Sequence, residues 1–358
     1  MQKKILTKIK AFAEIMFSPR ITFGQRLNLL NFLFKTKILG KKIIRSVELI
    51  HTLKCNCRCK FCSNERLSEK NPVMSKREVK KTIDKLADHG TIAIVFLGGE
   101  SLMDSNFLDY VHYARKKKII PLLQTNGTLL TEKMIKKLAK AGLFSITISL
   151  HDTFDIIHDK TVGFPGAMGI IKRAIPLLKK YKIKIVLKTI YSRESVKSGS
   201  FERILRMSRK NNMFLNINPF MPVGKGISAK NLLSPSEKRA YKKILKNPMI
   251  TAHTKTRYDS QCPAGKFYLG ILPDGEILPC YFLPVSVGNI KEIEIKEAQK
   301  RAVQMSLFRK KRDYCIVAMN RDFYKKVIKK LYSGKYKLPV RYNAFPEIEK
   351  MLNRFKNK

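Results

Sequence analysis

From residue 46 onward the chain alternates short apolar runs with stretches whose apolar residues recur every three or four positions, the pattern of strands followed by amphipathic helices. The first apolar run covers 47–53, a helix is predicted over 75–88, and a strand over 91–97 ends in Gly98, Gly99 and Glu100. Ser75 with Glu78 three residues later makes a capping box, and Gly90 stands where a helix should stop. The alternation goes on with helices at 106–117, 131–141, 167–180, 201–210 and 235–245 and strands at 119–125, 144–150, 183–190 and 214–219. Six strands, each with a following helix, predict an α/β fold, a partial (β/α)6 TIM-like barrel whose chemistry sits at the C-terminal ends of its strands.

The flanks read differently. Residues 1–44 predict two short amphipathic helices separated by Pro19, with Ile5, Ile9, Phe12 and Met16 on one face and Leu27, Leu30 and Phe34 on another. Lysines beside both helices fit either a helix lying on a membrane surface or a cap over the open end of its own domain. After residue 250 a β-hairpin, 267–272 with 276–282, turns at Pro273, Asp274 and Gly275 and opens a smaller α+β module with a lysine-rich helical tail. The organisation expected is an extension at 1–44, a barrel at 45–248 and a C-terminal module at 249–358.

Charge adds a constraint that the pattern lacks. Lysine and arginine number 73 against 27 acidic residues, a formal +46, so anionic partners are favoured: nucleic acid, an acidic lipid surface or an acidic peptide. The lysines are spread along the chain, as they also would be in a lysine-rich proteome. A hydrophobic content of 44% speaks against disorder. Lys8 and Lys10 interrupt any signal-peptide core, and nowhere do eighteen apolar residues run together. A cytoplasmic protein is expected, peripheral at the inner membrane face if the basic helices bind lipid.

Seven cysteines make an odd number, and four lie between Cys55 and Cys62, too close for ordinary disulfides. Cys55, Cys59 and Cys62 form CxxxCxxC directly after the first strand. Three thiolates at this spacing can hold three irons of a [4Fe–4S] cube and leave the fourth open. Zinc is the rival, although the usual second Cys pair is missing. Cys57 is read as a packing residue.

On these residues the sequence resembles the radical S-adenosylmethionine (SAM) superfamily. The resemblance implies that SAM chelates the open iron and is cleaved reductively to a 5′-deoxyadenosyl radical, which abstracts hydrogen from a substrate. An electron donor such as flavodoxin or ferredoxin is implied as partner. Gly98, Gly99 and Glu100 resemble the family's GGE motif at the SAM ammonium; the plainer reading is a strand-ending turn. Gln124, Thr125 and Asn126 end the third strand and Ser149 the fourth, matching SAM-facing strand ends, so Asn126 and Ser149 join the cofactor-binding candidates. The segment from His158, Asp159 and Lys160 to Gly163 resembles one that often carries an arginine before the glycine; Val162 stands there instead, leaving Lys160 as substitute. His151 and His158 could move protons or simply be hydrogen-bonded structure.

Cys262, Gly275 and Cys280 resemble the start of the auxiliary-cluster module called SPASM or twitch, with one later cysteine, Cys315. Two complete auxiliary clusters are excluded; one, held by these three cysteines, is expected, against the alternative of a degenerate hairpin with buried thiols. Cys280 is expected to face Leu269. Substrate classes rank as peptide or protein first, membrane lipid or isoprenoid second and tRNA third, since no aromatic RNA-binding motif is present. The alternative from another class is a non-catalytic zinc or iron–sulfur protein that binds nucleic acid through its basic surface.

Overall fold

The alternating runs fold, in a computed structural model that describes residues 9, 12–65, 67, 73–255, 261–309 and 312–355, into a sheet of nine strands among the described residues, beside which Val285–Ser286 and Val340–Arg341 form a separate two-stranded sheet. The nine are β1 (Ser46–Ile50), β2 (Ala93–Leu97), β3 (Ile120–Thr125), β4 (Ser145–Ser149), β5 (Lys184–Tyr191), β6 (Phe214–Pro219), β7 (Ile250–Thr251), β8 (Tyr268–Ile271) and β9 (Ile277–Leu278). Their spatial order is β7-β6-β5-β4-β3-β2-β1-β8-β9, parallel throughout except for β9. This is the TIM-like barrel class predicted.

Local chemistry sets the helix ends. Ser75 and Glu78 form the capping box of helix Lys76–His89, and Gly90 ends it at φ +88°. Val79, Ile83 and Leu86 of that helix are buried, one apolar stripe against the sheet. Thr131 caps Glu132–Ala141 by accepting from the Met134 N–H.

The hairpin differs from expectation in two ways. Its first strand, β8, pairs with β1 from Ser46↔Tyr268 to Leu49↔Ile271, so it extends the barrel sheet instead of standing apart. The physical reason is that β1 would otherwise present an unpaired edge. Its register with β9, Gly270↔Leu278, carries Cys280 past the ladder's end to a place opposite Tyr268, one residue from the expected Leu269. A helix not predicted, Asp155–Val162, occupies the His158 segment.

The N-terminal segment seals the far end of the barrel. Arg20 donates to the carbonyls of Leu143 at 2.6 Å, Ala139 at 2.7 Å and Tyr181 at 3.1 Å, and the Gln25 amide donates to Ile119 O at 2.8 Å. These acceptors precede β3, β4 and β5, opposite the strands' C-terminal ends. Helix Phe23–Leu33 buries Gln25, Leu29 and Phe32 there, whereas the predicted face of Leu27, Leu30 and Phe34 is exposed. Ile5, Lys8 and Lys10 lie outside the described residues.

Asp152, just past β4, is wholly buried. It accepts from Arg203 Nε at 2.9 Å and Nη2 at 2.6 Å, from Ser200 Oγ, and from the N–H groups of Thr153 and Phe154. Burial pushes its pKa up, but the bonds from Arg203, the Phe154 N–H and Ser200 outweigh it and hold the carboxyl down at about 2. Arg203→Ala leaves that charge buried without its cation, and a loss of about 3–5 kcal/mol is expected in urea unfolding. In the wild type the contribution is intact above the ordinary carboxylate value of about 3.9 and is lost as pH falls through the lowered pKa. Equal unfolding midpoints for variant and wild type at neutral pH would refute this anchor.

Candidate functional site

The cysteine loop leaves β1 and lies across the strands' C-terminal ends, held by backbone contacts on every side. At the end of β2, the Gly99 N–H donates to Thr52 O at 2.9 Å and the Glu100 N–H to Lys54 O at 2.7 Å. The approach is so close that a Cβ on Gly98 would lie 2.2 Å from Thr52 O and one on Gly99 2.1 Å from Lys54 O. The two glycines are therefore required for close packing against the loop. From helix Asp155–Val162, the carbonyls of Val162 and Thr161 accept from Arg58 N–H at 2.8 Å and Lys60 N–H at 3.4 Å. Beyond β6, Lys225 N–H donates to Cys62 O at 2.9 Å. From beyond β9, the Tyr281 phenol bonds to Ser63 Oγ at 3.2 Å and to Asn64.

Glu100 is buried, with its carboxylate accepting from Thr125 Oγ1, the Asn126 N–H and the Leu102 N–H at 2.8–3.1 Å. Burial raises its pKa to about 7 against those hydrogen bonds. Its work is to place Asn126, whose amide Nδ2 donates to Asn56 Oδ1 at 2.9 Å and lies 3.8 Å from Cys55 Sγ. Ser149 ends β4 half-buried, in register with Lys188 of β5. Lys160 is exposed, while Asp159 accepts from the N–H groups of Gly166 and Met168 and so ties down the start of the next helix. His158 is buried, and its Nδ1 accepts from the His151 N–H.

Cys55, Cys59 and Cys62 come together. Cys55 is lowered to about 6, chiefly by the hydrogen bond from the Cys57 thiol, with Asn126 contributing. Burial pushes Cys59 up to about 12, and Cys62 and Cys55 add to it. Burial raises Cys62 too, and Cys55 adds to that rise. The sulfurs are near enough to oppose one another's ionisation, so the three become thiolates together only beside a compensating cation. No three His, Cys, Asp or Glu side chains among the described residues converge on one point as a single-ion site requires. Three thiolates on one short loop are a donor set that could hold three irons of a cube and leave the fourth open.

The second cysteine set is also gathered in one neighbourhood. Cys280 rises through burial and the nearness of Cys262 and Cys315, and Cys315 is raised to about 12 by burial and Cys262. Gly275 turns the hairpin at φ +93°, the Cys262 N–H donates to Arg312 O at 2.8 Å, toward Cys315, and the Gly265 N–H donates to Pro279 O at 3.1 Å, next to Cys280. Cys315 Sγ lies 4.0 Å from Met221 Sδ.

Sequence reasoning missed the polar lining of the barrel. Lys188 Nζ reaches across β4 to Gln124 Oε1 at 2.7 Å, and Tyr268 bonds to Glu48. His253 Nδ1 lies 2.9 Å from Asn218 Oδ1, while its buried Nε2 has no partner among the described residues. Burial raises Glu48 and lowers Lys188, each partly offset by the other's charge. The available signal was a charge next to apolar residues inside a strand, Glu48 in β1 and Lys188 after Ile185, Val186 and Leu187 in β5.

Residues 49–207 match the model of the Radical SAM superfamily, and residues 262–319 match an iron-sulfur cluster-binding domain, SPASM. The AdoMet-dependent heme synthase of Methanosarcina barkeri is 25% identical over 295 residues, 73% of this chain and 83% of that protein. The PqqA peptide cyclase of Gluconobacter oxydans is 23% identical over 284 residues, 73% of this chain and 77% of that protein. Among solved structures, native anSMEcpe with bound AdoMet has a TM-score of 0.59 at 18% identity, covering 86% of this chain and 99% of that one, a likeness of fold.

The glycine contacts generate a direct test. Gly99→Ala must push the loop away from Lys54, a steric cost of about 1–3 kcal/mol. The expected outcome is a lower melting temperature together with faster alkylation of Cys55, Cys59 and Cys62 in the metal-free protein. An unchanged alkylation rate would mean that the glycines do not hold the loop.

Proposed function

Because the chain belongs to the radical SAM superfamily and carries the SPASM iron–sulfur domain, we propose that it is a peptide-modifying enzyme that abstracts hydrogen from its substrate inside the barrel. The observation that carries this is the pairing of two three-cysteine sets, one clamped over the barrel mouth and one partly buried beside it. When bound, SAM and the [4Fe–4S] cluster supply the 5′-deoxyadenosyl radical, with the electron coming from a donor such as flavodoxin or ferredoxin.

Cys55, Cys59 and Cys62 hold the cluster, and Asn126, positioned by Glu100, steadies the Cys55 sulfur. The ends of β2 and β4, at Gly98, Gly99 and Ser149, border the space for SAM. Inside the barrel, Lys188 and Glu48 orient polar groups of the substrate and keep them from shifting once water is displaced. Cys262, Cys280 and Cys315 hold one auxiliary cluster, whose fourth ligand is not among the residues named.

A peptide is favoured by similarity to the PqqA peptide cyclase and by a cavity of about 860 Å³ in the C-terminal tail. Its wall includes Tyr324, Tyr332, Lys329, Lys330, Lys350 and Arg354, which suits acidic and aromatic side chains. Ile227 also lines it, two residues beyond Lys225, whose N–H bonds to Cys62 O. A bound segment there would lie beside the barrel mouth. An iron porphyrin is the second reading, favoured by similarity to heme synthase across 73% of the chain.

Cys59→Ala is expected to lose the iron of the first set and all 5′-deoxyadenosine formation, whereas Cys57→Ala keeps both. After anaerobic reconstitution the wild type should hold about eight irons per chain and the Cys262/Cys280/Cys315 triple alanine variant about four. A wild type that never exceeds about four, with the triple variant equal to it in product, would remove the auxiliary cluster. Incubation with acidic peptides and, separately, with iron coproporphyrin, read by product mass, decides between the substrates.

A further inference from the structure

Helix Phe23–Leu33 is apolar on two opposite faces. Gln25, Leu29 and Phe32 lie against the barrel. Phe23, Leu27, Leu30 and Phe34, at spacings of four, three and four, form a second stripe on the other side, and all four are exposed. Phe23 is 72% exposed, Ile38 and Leu39 just beyond the stripe are 71% and 51% exposed, and Phe17 before the helix is 84% exposed. Nothing in the fold requires this second stripe. An exposed apolar stripe running the length of a helix marks a surface made to be covered.

Charge identifies what covers it. From Phe17 to Lys42 the chain has six basic residues, Arg20, Arg26, Lys35, Lys37, Lys41 and Lys42, and no acidic one. Arg20 and Arg26 donate to backbone carbonyls, whereas Lys35, Lys37, Lys41 and Lys42 are in no ion pair among the described residues. Exposed aromatic and aliphatic side chains edged by unpaired cations fit the boundary between lipid headgroups and acyl chains of an anionic bilayer. No helix among the described residues is long and apolar enough to cross a membrane, so the contact is one of surface.

We infer that this helix docks the protein on an anionic membrane through Phe23, Leu27, Leu30 and Phe34, with Lys35, Lys37, Lys41 and Lys42 reaching the headgroups. The docking face lies at the strands' N-terminal end, whereas Cys55, Cys59 and Cys62 lie at the opposite end. The barrel mouth is thus turned away from the lipid, and substrate arrives from the aqueous side. The membrane is an anchor here and not the source of substrate.

The test uses the full-length, cluster-loaded protein, sedimented with vesicles of phosphatidylcholine alone or with about a third phosphatidylglycerol. Wild type should bind the anionic vesicles and be released by added salt. The combined variant Leu27→Gln, Leu30→Gln and Phe34→Gln should bind at least about fivefold less, with unchanged circular dichroism and SAM cleavage. Lys35→Gln with Lys37→Gln should weaken only the dependence on anionic lipid, and Ile156→Gln, more exposed still but elsewhere, should leave vesicle binding unchanged. The inference is overturned if the apolar-face variant binds vesicles like wild type. It is also overturned if that variant instead dissociates a dimer, which would make the stripe an interface between two copies, or if it loses binding to an RNA oligonucleotide while vesicle binding persists.

Discussion

The contact between the strand-ending glycines and the cysteine loop is the constraint on which the site depends. Gly98 and Gly99 approach the Thr52–Lys54 backbone so closely that no side chain fits between, and the hydrogen bonds from Gly99 and Glu100 then fix the height of the loop above the barrel. Everything above that contact inherits its position. Glu100 is held in the core at the same point and hands its geometry on to Asn126, and Asn126 to Asn56 and Cys55. A motif that reads as cofactor recognition is, in this chain, first a device for setting three sulfurs in place.

The site is closed by parts distant in the chain. Val162, Lys225 and Tyr281 each bond to the loop from a different element, and β8 from the C-terminal region lies against β1, the strand that launches it. The C-terminal module is thereby joined through backbone pairing to the strand that launches the first cysteine loop. The half-buried Glu48 and Lys188 belong to the same logic. Ionic groups are costly inside a barrel unless paired or used, and these two face the interior where a substrate would lie.

The strong positive charge has at least two separate structural expressions. One is the lysine-rich cavity of the tail, built with tyrosines near the barrel mouth. The other is the edge of the exposed apolar stripe at the barrel's opposite end. One helix can serve both the fold and a surface because residues spaced at 3.6 per turn divide cleanly between opposite faces.

What the sequence determined by itself was whatever depends on near neighbours. The βα alternation follows from apolar periodicity, the ends of helix Lys76–His89 from Ser75, Glu78 and Gly90, and the three-cysteine spacing from eight consecutive residues. The turn at Gly275 was equally local, because only its own φ had to be positive. Tertiary structure alone decided which side chains meet. The place of Cys280 depended on the register of β8 with β9, and the joining of that hairpin to the barrel on the open edge of β1. The pairing of Lys188 with Gln124 required two strands of a curved sheet to face one interior, and the exposure of Leu27, Leu30 and Phe34 depended on which face of their helix the barrel took. Periodicity shows that a face exists, but only packing chooses between two apolar faces, since both lower the free energy when covered.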